Sequence, residues 1–362
     1  MRISAEMRNN LNAILPLLLL VLLLVLVASC TPGHPQSTFG THGPVAQRQM
    51  TLFYVIFWAA VFVFVTVGGT LLFAAIRFRR RPGQPEPPQT HGNTRLEIGW
   101  TIAPAVVLFV VAIPTVLAQF YISDPPSDED KLDVNVTAHQ WWWEIEYPGL
   151  GVVTANEIHV PVNENVEFTL TSDDVVHSFW VPKLAGKMDI FPGKTTRMWF
   201  RADSLDSNLD TPERGPFFGQ CAEFCGIAHS WMRFRVWVDT PEEFQAWVDT
   251  QLAQAHTPDS PEAEEGAQLF LSKGCVACHT VNGVPGAVGV RGPNLTHFGN
   301  RSTLAAGVKD LNDENLRAWL KDPDDIKEGT IMAREAPVYT NPSLSLSDGD
   351  ISALVAYLNS LK

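Results

Sequence analysis

Residues 221 to 232 read Cys-Ala-Glu-Phe-Cys-Gly-Ile-Ala-His-Ser-Trp-Met, and they place two thiols, an imidazole and a thioether within twelve residues. These are soft and borderline metal ligands, which suit copper better than they suit hard, oxygen-seeking ions. A zinc site built from Cys and His is an alternative, although the thioether of Met232 argues against zinc. A pair of packed free cysteines is the purely structural alternative. The stretch therefore predicts a copper site.

A tight loop does not complete a rigid metal site alone, so we expect a further imidazole from a β-rich segment. His177, in Asp-Asp-Val-Val-His-Ser-Phe-Trp at residues 173–180, is the best candidate. The combined pattern resembles the dinuclear copper A centre of subunit II of haem-copper cytochrome c oxidases. The resemblance implies two copper ions bridged by two thiolates, capped by two imidazoles and completed by weak axial ligands. The thiolates would be those of Cys221 and Cys225, and the imidazoles those of His177 and His229. The weak axial ligands would be Met232 and the backbone carbonyl of Glu223.

The resemblance assigns further roles outside the copper ligands. The carboxylate of Glu223 would bind a magnesium ion at the interface with subunit I, and Trp141 would receive electrons near the copper site. Glu97 would lie at the cytoplasmic mouth of a proton channel in subunit I. Core packing of a strand is the alternative for Trp141. For Glu97 the alternative is an acid that only positions a helix end. Because successive strand residues face opposite sides, Trp142 should point away from Trp141.

Charge is distributed unevenly along the chain, which has 362 residues and a net charge of −13. Residues 1–100 carry eight basic and three acidic side chains, whereas the remainder carries 18 basic and 36 acidic ones. The acidic later part argues against a nucleic-acid partner and favours a basic protein partner or simple solubility.

The N-terminus has the marks of a secretory signal over residues 1–29. Basic residues precede an apolar run, and Val-Ala-Ser-Cys at residues 27–30 resembles a bacterial lipobox. The resemblance implies cleavage before Cys30 and lipidation of its sulfur. An uncleaved transmembrane helix is the alternative. Residues 30–49 are then predicted to form an external linker.

Two uncharged stretches predict a transmembrane hairpin over residues 50–123, with helices at about 52–76 and 99–122. Four arginines at positions 77, 79, 80 and 81 put the connecting loop in the cytoplasm by the positive-inside rule. The chain is therefore predicted to be a multi-pass protein of the bacterial plasma membrane, with its later domains on the outer face.

Residues 124–250 alternate in short apolar segments broken by Pro, Gly and Asp, which predicts a β-sandwich or barrel. With the copper motif on a late loop, this domain resembles a Greek-key cupredoxin. The strands are expected around Val134–Val136, Ile158–Val160, Val166–Leu170, Arg197–Phe200 and Met232–Val238.

A polar hinge over residues 251–262 contains two prolines and leads to a third domain, residues 263–362. There Cys275-Val-Ala-Cys278-His279 is the signature of covalent haem c attachment, with His279 as the proximal iron ligand. Helices at the two ends of this segment favour an all-α class I cytochrome c domain. A flexible hinge would keep this haem at high effective concentration near its electron acceptor.

The distal iron ligand of such a haem is usually methionine, and Met332 is the only methionine after Met232. His297 is the alternative ligand. Gly-Pro-Asn-Leu at residues 292–295 resembles the loop in which the carbonyl of Pro293 accepts the Nδ1 proton of His279.

These resemblances predict an electron relay in subunit II of an oxidase that carries its own cytochrome c. An external cytochrome c, or a quinol-cytochrome c reductase, would reduce the haem. The electron would then pass to copper A and on to haem a in subunit I. Subunit III would be a further partner. Oxygen chemistry and proton pumping would belong to subunit I. The alternatives are the electron-accepting subunit of a copper-A nitric oxide reductase and a membrane-anchored copper-binding lipoprotein. A quinol oxidase subunit II would lack Cys221 and Cys225.

Overall fold

The computed structural model describes residues 20–22, 34–83, 85–86, 88–89, 91–125, 131–206, 215–258 and 260–362. Along the chain these residues form a pair of long helices, a two-sheet β-sandwich and a helical C-terminal domain. This order confirms the predicted multidomain fold. Apart from residues 20–22, the predicted signal peptide lies outside the described residues, as does Cys30.

The two long helices are α1 (Pro44–Arg77) and α2 (Thr94–Ser123), and both are long and apolar enough to cross a membrane. Helix α1 begins earlier than the predicted residue 52, because its first turn docks on the sandwich. Val45 and Ala46 are buried there, and the Ala46 amide donates to the Leu184 carbonyl at 3.2 Å. The end of the predicted linker is therefore helical and packed.

The β-sandwich has two five-stranded sheets, in the orders β3-β2-β1-β5-β8 and β4-β10-β9-β6-β7. Its strands are β1 (Leu132–His139), β2 (Trp142–Tyr147), β3 (Val152–Ala155), β4 (Glu157–Pro161), β5 (Asn165–Ser172), β6 (His177–Trp180), β7 (Met188–Ile190), β8 (Thr196–Arg201), β9 (Phe217–Cys221) and β10 (Arg233–Asp239). All five expected strand segments are present. Strand β1 alternates buried and more accessible residues, so one face enters the core between the sheets.

Strand register brings the candidate copper ligands together. Strand β6 pairs antiparallel with β9, with Phe179 opposite Cys221. Strand β9 also pairs antiparallel with β10, so the loop between them leaves and re-enters the same sheet. The start of β6 and the β9–β10 loop consequently meet at one end of the sandwich.

The C-terminal domain is built on the crossing of its first and last long helices. Gly266 makes this crossing close, since a Cβ there would lie 2.0 Å from the Ala353 carbonyl oxygen. Phe270 and Tyr357 pack beside it with ring centroids 5.5 Å apart. The helices are α3 (Pro241–Leu252), which precedes the hinge, then α4 (Pro261–Ser272), α5 (Asp313–Lys321), α6 (Pro323–Ile326), α7 (Ile331–Glu335), α8 (Pro337–Thr340) and α9 (Asp348–Ser360). Two short strands, β11 (Thr303–Leu304) and β12 (Lys309–Asp310), form a small hairpin, so the domain is not strictly all-α.

The helical domain is docked against the sandwich rather than held by its hinge alone. Ala306 forms a buried cluster with Trp142 and Ala155 of the sandwich. His297 lies with its Nε2 3.1 Å from the carbonyl oxygens of both Gln251 and Ala253, which ties the start of the hinge to the helical domain. The structure therefore places both predicted redox domains in direct contact.

Candidate functional site

The loop between β9 and β10 carries most of the candidate copper ligands. Cys221 ends β9 and Met232 precedes β10, and the Cys221 amide donates to the Met232 carbonyl at 2.9 Å across the base of the loop. Both thiols are buried, with Cys221 Sγ and Cys225 Sγ 3.8 Å apart. The hydrogen bond between the two thiols lowers the pKa of Cys221, which favours a thiolate at this position.

The remaining candidate ligands converge on these two sulfurs. His177 Nδ1 lies 3.9 Å from Cys221 Sγ, and His229 Nδ1 lies 3.5 Å from Cys225 Sγ. Met232 Sδ is 3.8 Å from Cys225 Sγ, and the Glu223 carbonyl oxygen is 3.2 Å from Cys221 Sγ. All six predicted donors thus meet at one end of the sandwich.

These separations fit bound metal. With metal–sulfur and metal–nitrogen bonds of about 2.3 and about 2.0 Å, two donors that share one ion lie at most about 4.3 Å apart. The Cys–His pairs at 3.5 and 3.9 Å satisfy that limit. Thiolates, imidazoles and a thioether in one buried cluster favour copper over harder ions. The donor set therefore fits the copper pair that the sequence predicts.

Asp174 orients His177 and was missed as a site residue in the sequence. Its Oδ1 lies 2.8 Å from His177 Nε2, which leaves Nδ1 facing the sulfurs. Burial opposes ionisation of Asp174, but hydrogen bonds from His177, Val175 and Gln140 outweigh burial and lower its pKa. A carboxylate that holds the second nitrogen of a metal-binding imidazole is a common supporting feature of metal sites. Its position three residues before His177 is the signal that sequence reasoning could have used.

Trp141 touches the copper loop directly. Its indole Nε1 donates to the Cys225 carbonyl at 3.0 Å, and the side-chain Nε2 of Gln140 donates to the same oxygen at 2.7 Å. Gly226 allows this approach, because it adopts φ +119° and a Cβ would lie 2.9 Å from Trp141 Cζ2. The indole ring is buried beside a candidate copper ligand.

The neighbouring tryptophans point to different surroundings, as strand alternation predicts. Trp143 lies in the sandwich core with Trp141. Trp142 faces the other side, where it stacks on His139 at a centroid distance of 4.4 Å and contacts Ala306. The helical domain covers this second face, so Trp142 is also buried, but outside the sandwich core.

The C-terminal domain contains a cleft into which the Cys-x-x-Cys-His segment faces. Cys275, Cys278, His279 and Met332 all line this cleft. The Pro293 carbonyl oxygen lies 2.8 Å from His279 Nδ1. Burial lowers the pKa of His279, which favours the neutral imidazole that binds iron. His297 is not among the lining residues, so the structure gives the alternative ligand no place in this cleft.

The cleft has the character expected for a haem. It is lined mostly by apolar side chains, and the guanidinium of Arg301 also lines it. The buried Arg301 Nε has no hydrogen-bond partner within the described part of the chain, so it is free to bind an anionic group such as a haem carboxylate. Gly292 leaves room beside the proximal ligand, since a Cβ there would lie 2.6 Å from the His279 ring. These residues fit a covalently attached haem.

Comparison with known proteins covers each of the three parts. Residues 37–117 match the family Cytochrome C oxidase subunit II, transmembrane domain, and residues 150–238 match its periplasmic domain. Residues 263–362 match the family Cytochrome c. Cytochrome c oxidase subunit 2 of Alkalihalophilus pseudofirmus is 37% identical over 96% of this chain and 96% of its own length. The chain belongs to the cytochrome c oxidase subunit II family.

Two further relatives extend the comparison. Cytochrome c oxidase subunit 2 of Bacillus subtilis is 39% identical over 96% of this chain and 97% of its own length. The solved periplasmic domain of subunit II of cytochrome oxidase from Bradyrhizobium japonicum is 30% identical, covers 34% of this chain and 95% of that domain, and has a TM-score of 0.31. In this family, the two apolar helices make the protein membrane-anchored, with a periplasmic domain.

Glu97 has a visible structural role in this family member. It lies in the first turn of α2, where its Oε1 accepts a hydrogen bond from the Asn93 amide at 3.2 Å. Asn93 Oδ1 in turn accepts from the amides of Arg95 and Leu96, so the pair caps the helix reciprocally. The proton-channel role of Glu97 stays a prediction, as does magnesium binding by the half-buried Glu223.

Proposed function

We propose that this chain is the electron-accepting subunit of a cytochrome c oxidase, in which a haem c in the C-terminal domain feeds a copper A pair in the sandwich. One observation carries the proposal. The haem cleft is lined by residues of both domains, including Trp141, whose indole is hydrogen-bonded to the carbonyl of Cys225. The cleft and the copper loop are therefore joined through a single side chain.

The geometry supports the proposed ligand assignments. Cys275 and Cys278 would hold the haem covalently, with His279 and Met332 as its axial ligands. Copper would be held by Cys221, Cys225, His177, His229 and Met232 and by the Glu223 carbonyl. Both groups supply one-electron redox chemistry when bound.

The protein residues prepare these centres rather than make or break bonds. The Pro293 carbonyl holds the Nδ1 proton of His279 and Asp174 holds the Nε2 proton of His177, so each imidazole presents one defined nitrogen. Burial of Cys221 and Cys225 keeps water away from their sulfurs. A rigid, dry site changes little when its charge changes, and fast electron transfer needs this property.

The wider setting follows from family membership. Other oxidase subunits are the partners of such a chain, and we propose that subunit I takes the electron onward to haem a and supplies the oxygen chemistry and proton pumping. Subunit III is a further partner, and a cytochrome c or a quinol-cytochrome c reductase is the donor. We place both redox domains on the outer face of the membrane, because Arg77 and the arginines that follow it mark the connecting loop as cytoplasmic.

The test is the metal content and the visible to near-infrared spectrum of the full chain purified with its oxidase partners. We expect a copper pair and one covalent haem per chain. Cys221→Ser should abolish the near-infrared mixed-valence band and leave the haem spectrum intact, because the haem ligands lie in another domain. A chain with haem but zinc, or no metal, at residues 221–232 would contradict the proposal.

A further inference from the structure

Glu157, at the start of β4, is a buried carboxylate that belongs to the sandwich but binds the cytochrome domain. It is 4% exposed. Its Oε1 accepts from the Ser302 amide at 3.0 Å and from the Ser302 hydroxyl at 2.8 Å. The same oxygen lies 2.8 Å from the Thr303 amide and 2.7 Å from the Thr303 hydroxyl. Two amides and two hydroxyls of one turn therefore converge on a single carboxylate of the other domain.

That turn is a wall of the haem cleft. Arg301, Thr303, Leu304, Ala305 and Ala306 all line the cleft. Ala306 also packs on Trp142, and its carbonyl accepts from the Arg233 amide at 3.1 Å. The Arg235 guanidinium donates to the Gly307 carbonyl at 2.9 Å. The sandwich thus contacts this wall of the cleft along its length, and Glu157 binds one end of the wall.

A second contact holds the segment that leads to Met332. The Nζ of the buried Lys327 donates to the Trp141 carbonyl at 2.6 Å and to the Ala305 carbonyl at 3.3 Å. Gly329 lies against Ile227 of the copper loop, where a Cβ would come within 2.2 Å of Ile227 Cγ2. The cleft is consequently held to the sandwich on two sides.

Burying a carboxylate is costly unless donors satisfy it. Every hydrogen bond that the structure shows for the Glu157 side chain comes from the cytochrome domain. Burial lowers the pKa of Arg301 to about 10 and also lowers that of Arg235, and the Glu157 charge opposes this effect at both. These hydrogen bonds exist only in the docked arrangement, which favours an interdomain role for Glu157 over support of its own sheet.

We propose that Glu157 is a positioning residue of the electron relay, which fixes the haem cleft against Trp141 and Trp142 and so sets the rate of transfer between the two redox domains. The inference rests on the proposed function. In the step concerned, one electron is transferred from reduced haem to oxidised copper A, and no bond forms or breaks. Transfer rates fall steeply with distance, so a loosened cleft slows this step without removing either centre.

The experiment uses the assembled oxidase and a ruthenium photoreductant that injects one electron into the haem. Haem reoxidation and the copper near-infrared band then report the intramolecular rate. Glu157→Gln keeps the shape but removes the charge, and replacing charge-assisted hydrogen bonds by weaker neutral ones loosens docking about tenfold. We expect the transfer rate to fall and the Thr303 amide to exchange with deuterium about tenfold faster.

Glu146→Gln is the matched control, because Glu146 is an exposed glutamate on β2 of the same domain. It should transfer electrons at the wild-type rate. Thr303→Val approaches the same contact from the other domain and should slow transfer as well, which keeps the test available if Glu157→Gln fails to assemble. If assembled Glu157→Gln shows wild-type rates of electron transfer and of Thr303 amide exchange, the inference about Glu157 is overturned and the proposed function is not. A wild-type chain without haem c or copper A would overturn the proposed function and, with it, this inference.

Discussion

At the scale of single residues, side chains that support a ligand matter as much as the ligands. Asp174 fixes the orientation of His177 through a 2.8 Å contact, and Pro293 does the same for His279. Neither supporting residue binds a metal. Both decide which imidazole nitrogen is available for one.

Asp174→Asn should weaken copper binding about 10- to 100-fold, the usual effect of losing the acid behind a metal-binding histidine. A competition titration with a copper chelator measures the affinity. Asp173→Asn is the control, because the Asp173 side chain is 70% exposed and carries the same charge one position earlier. Equal losses of copper affinity in the two variants would show that general electrostatics, and not the orientation of His177, causes the effect.

Met332→Ala should remove the sulfur–iron absorption band of the oxidised haem and lower its reduction potential, since a methionine ligand raises that potential. Optical redox titration measures both. His297→Ala should leave the band in place, because His297 bonds to the Gln251 and Ala253 carbonyls instead of lining the cleft. A band that survives in Met332→Ala would disprove the axial assignment.

At the scale of elements, the β9–β10 loop is shaped by a glycine that no other residue replaces well. Gly226 combines φ +119° with close contact to Trp141. The turn brings Cys225 and the Trp141 indole to hydrogen-bond distance, so the shape of the loop and its contact with Trp141 depend on the same residue.

Gly226→Ala should destabilise the copper-loaded chain by about 1–3 kcal/mol through backbone strain, with an added cost from the clash with Trp141. Thermal unfolding, monitored through the loss of the copper absorption band, measures this destabilisation. Gly193→Ala is the matched control in the same domain: Gly193 has φ +72° but nothing within 4 Å of an added Cβ. A smaller loss of stability in Gly226→Ala than in Gly193→Ala would contradict the role assigned to the contact.

At the scale of the whole molecule, the two redox domains share a buried polar interface that responds to pH. Burial lowers the pKa of Lys327 to about 7, while Cys225 raises it and Arg233 lowers it further. In the undocked state the lysine would titrate near its ordinary value of about 10.4. Between these two values the undocked state binds more protons, so docking strengthens as pH rises from about 7 towards about 10.

Deuterium exchange of the Thr303 amide measures this dependence. The ratio of its exchange rate in Lys327→Met to that in the wild type should rise with pH above about 7, because only the wild type gains docking strength. The ratio cancels the intrinsic pH dependence of exchange. Lys321→Met, a change at an exposed lysine of the same domain, should give a flat ratio. A flat ratio in Lys327→Met would show that Lys327 does not titrate on docking.

Local sequence determined much of this protein. Uncharged stretches, strand alternation and the spacing of Cys, His and Met depend on nearest neighbours along the chain, and they predicted the hairpin, the sandwich strands and the ligand types. The haem segment and its helical domain followed from equally local patterns. The first turn of α1 was missed because its buried residues, Val45 and Ala46, owe their burial to Leu184, which is remote in sequence.

Only the tertiary structure decided how the two redox domains meet. A polar hinge with two prolines indicates freedom of movement, and no periodicity links Glu157 to Ser302 or Lys327 to Trp141 across more than 140 residues. Trp142 shows the same limit, since Ala306, which helps to cover its outward face on β2, comes from the other domain. Sequence pattern reports which face of an element is apolar, whereas contacts between distant segments depend on the shape that all the elements form together.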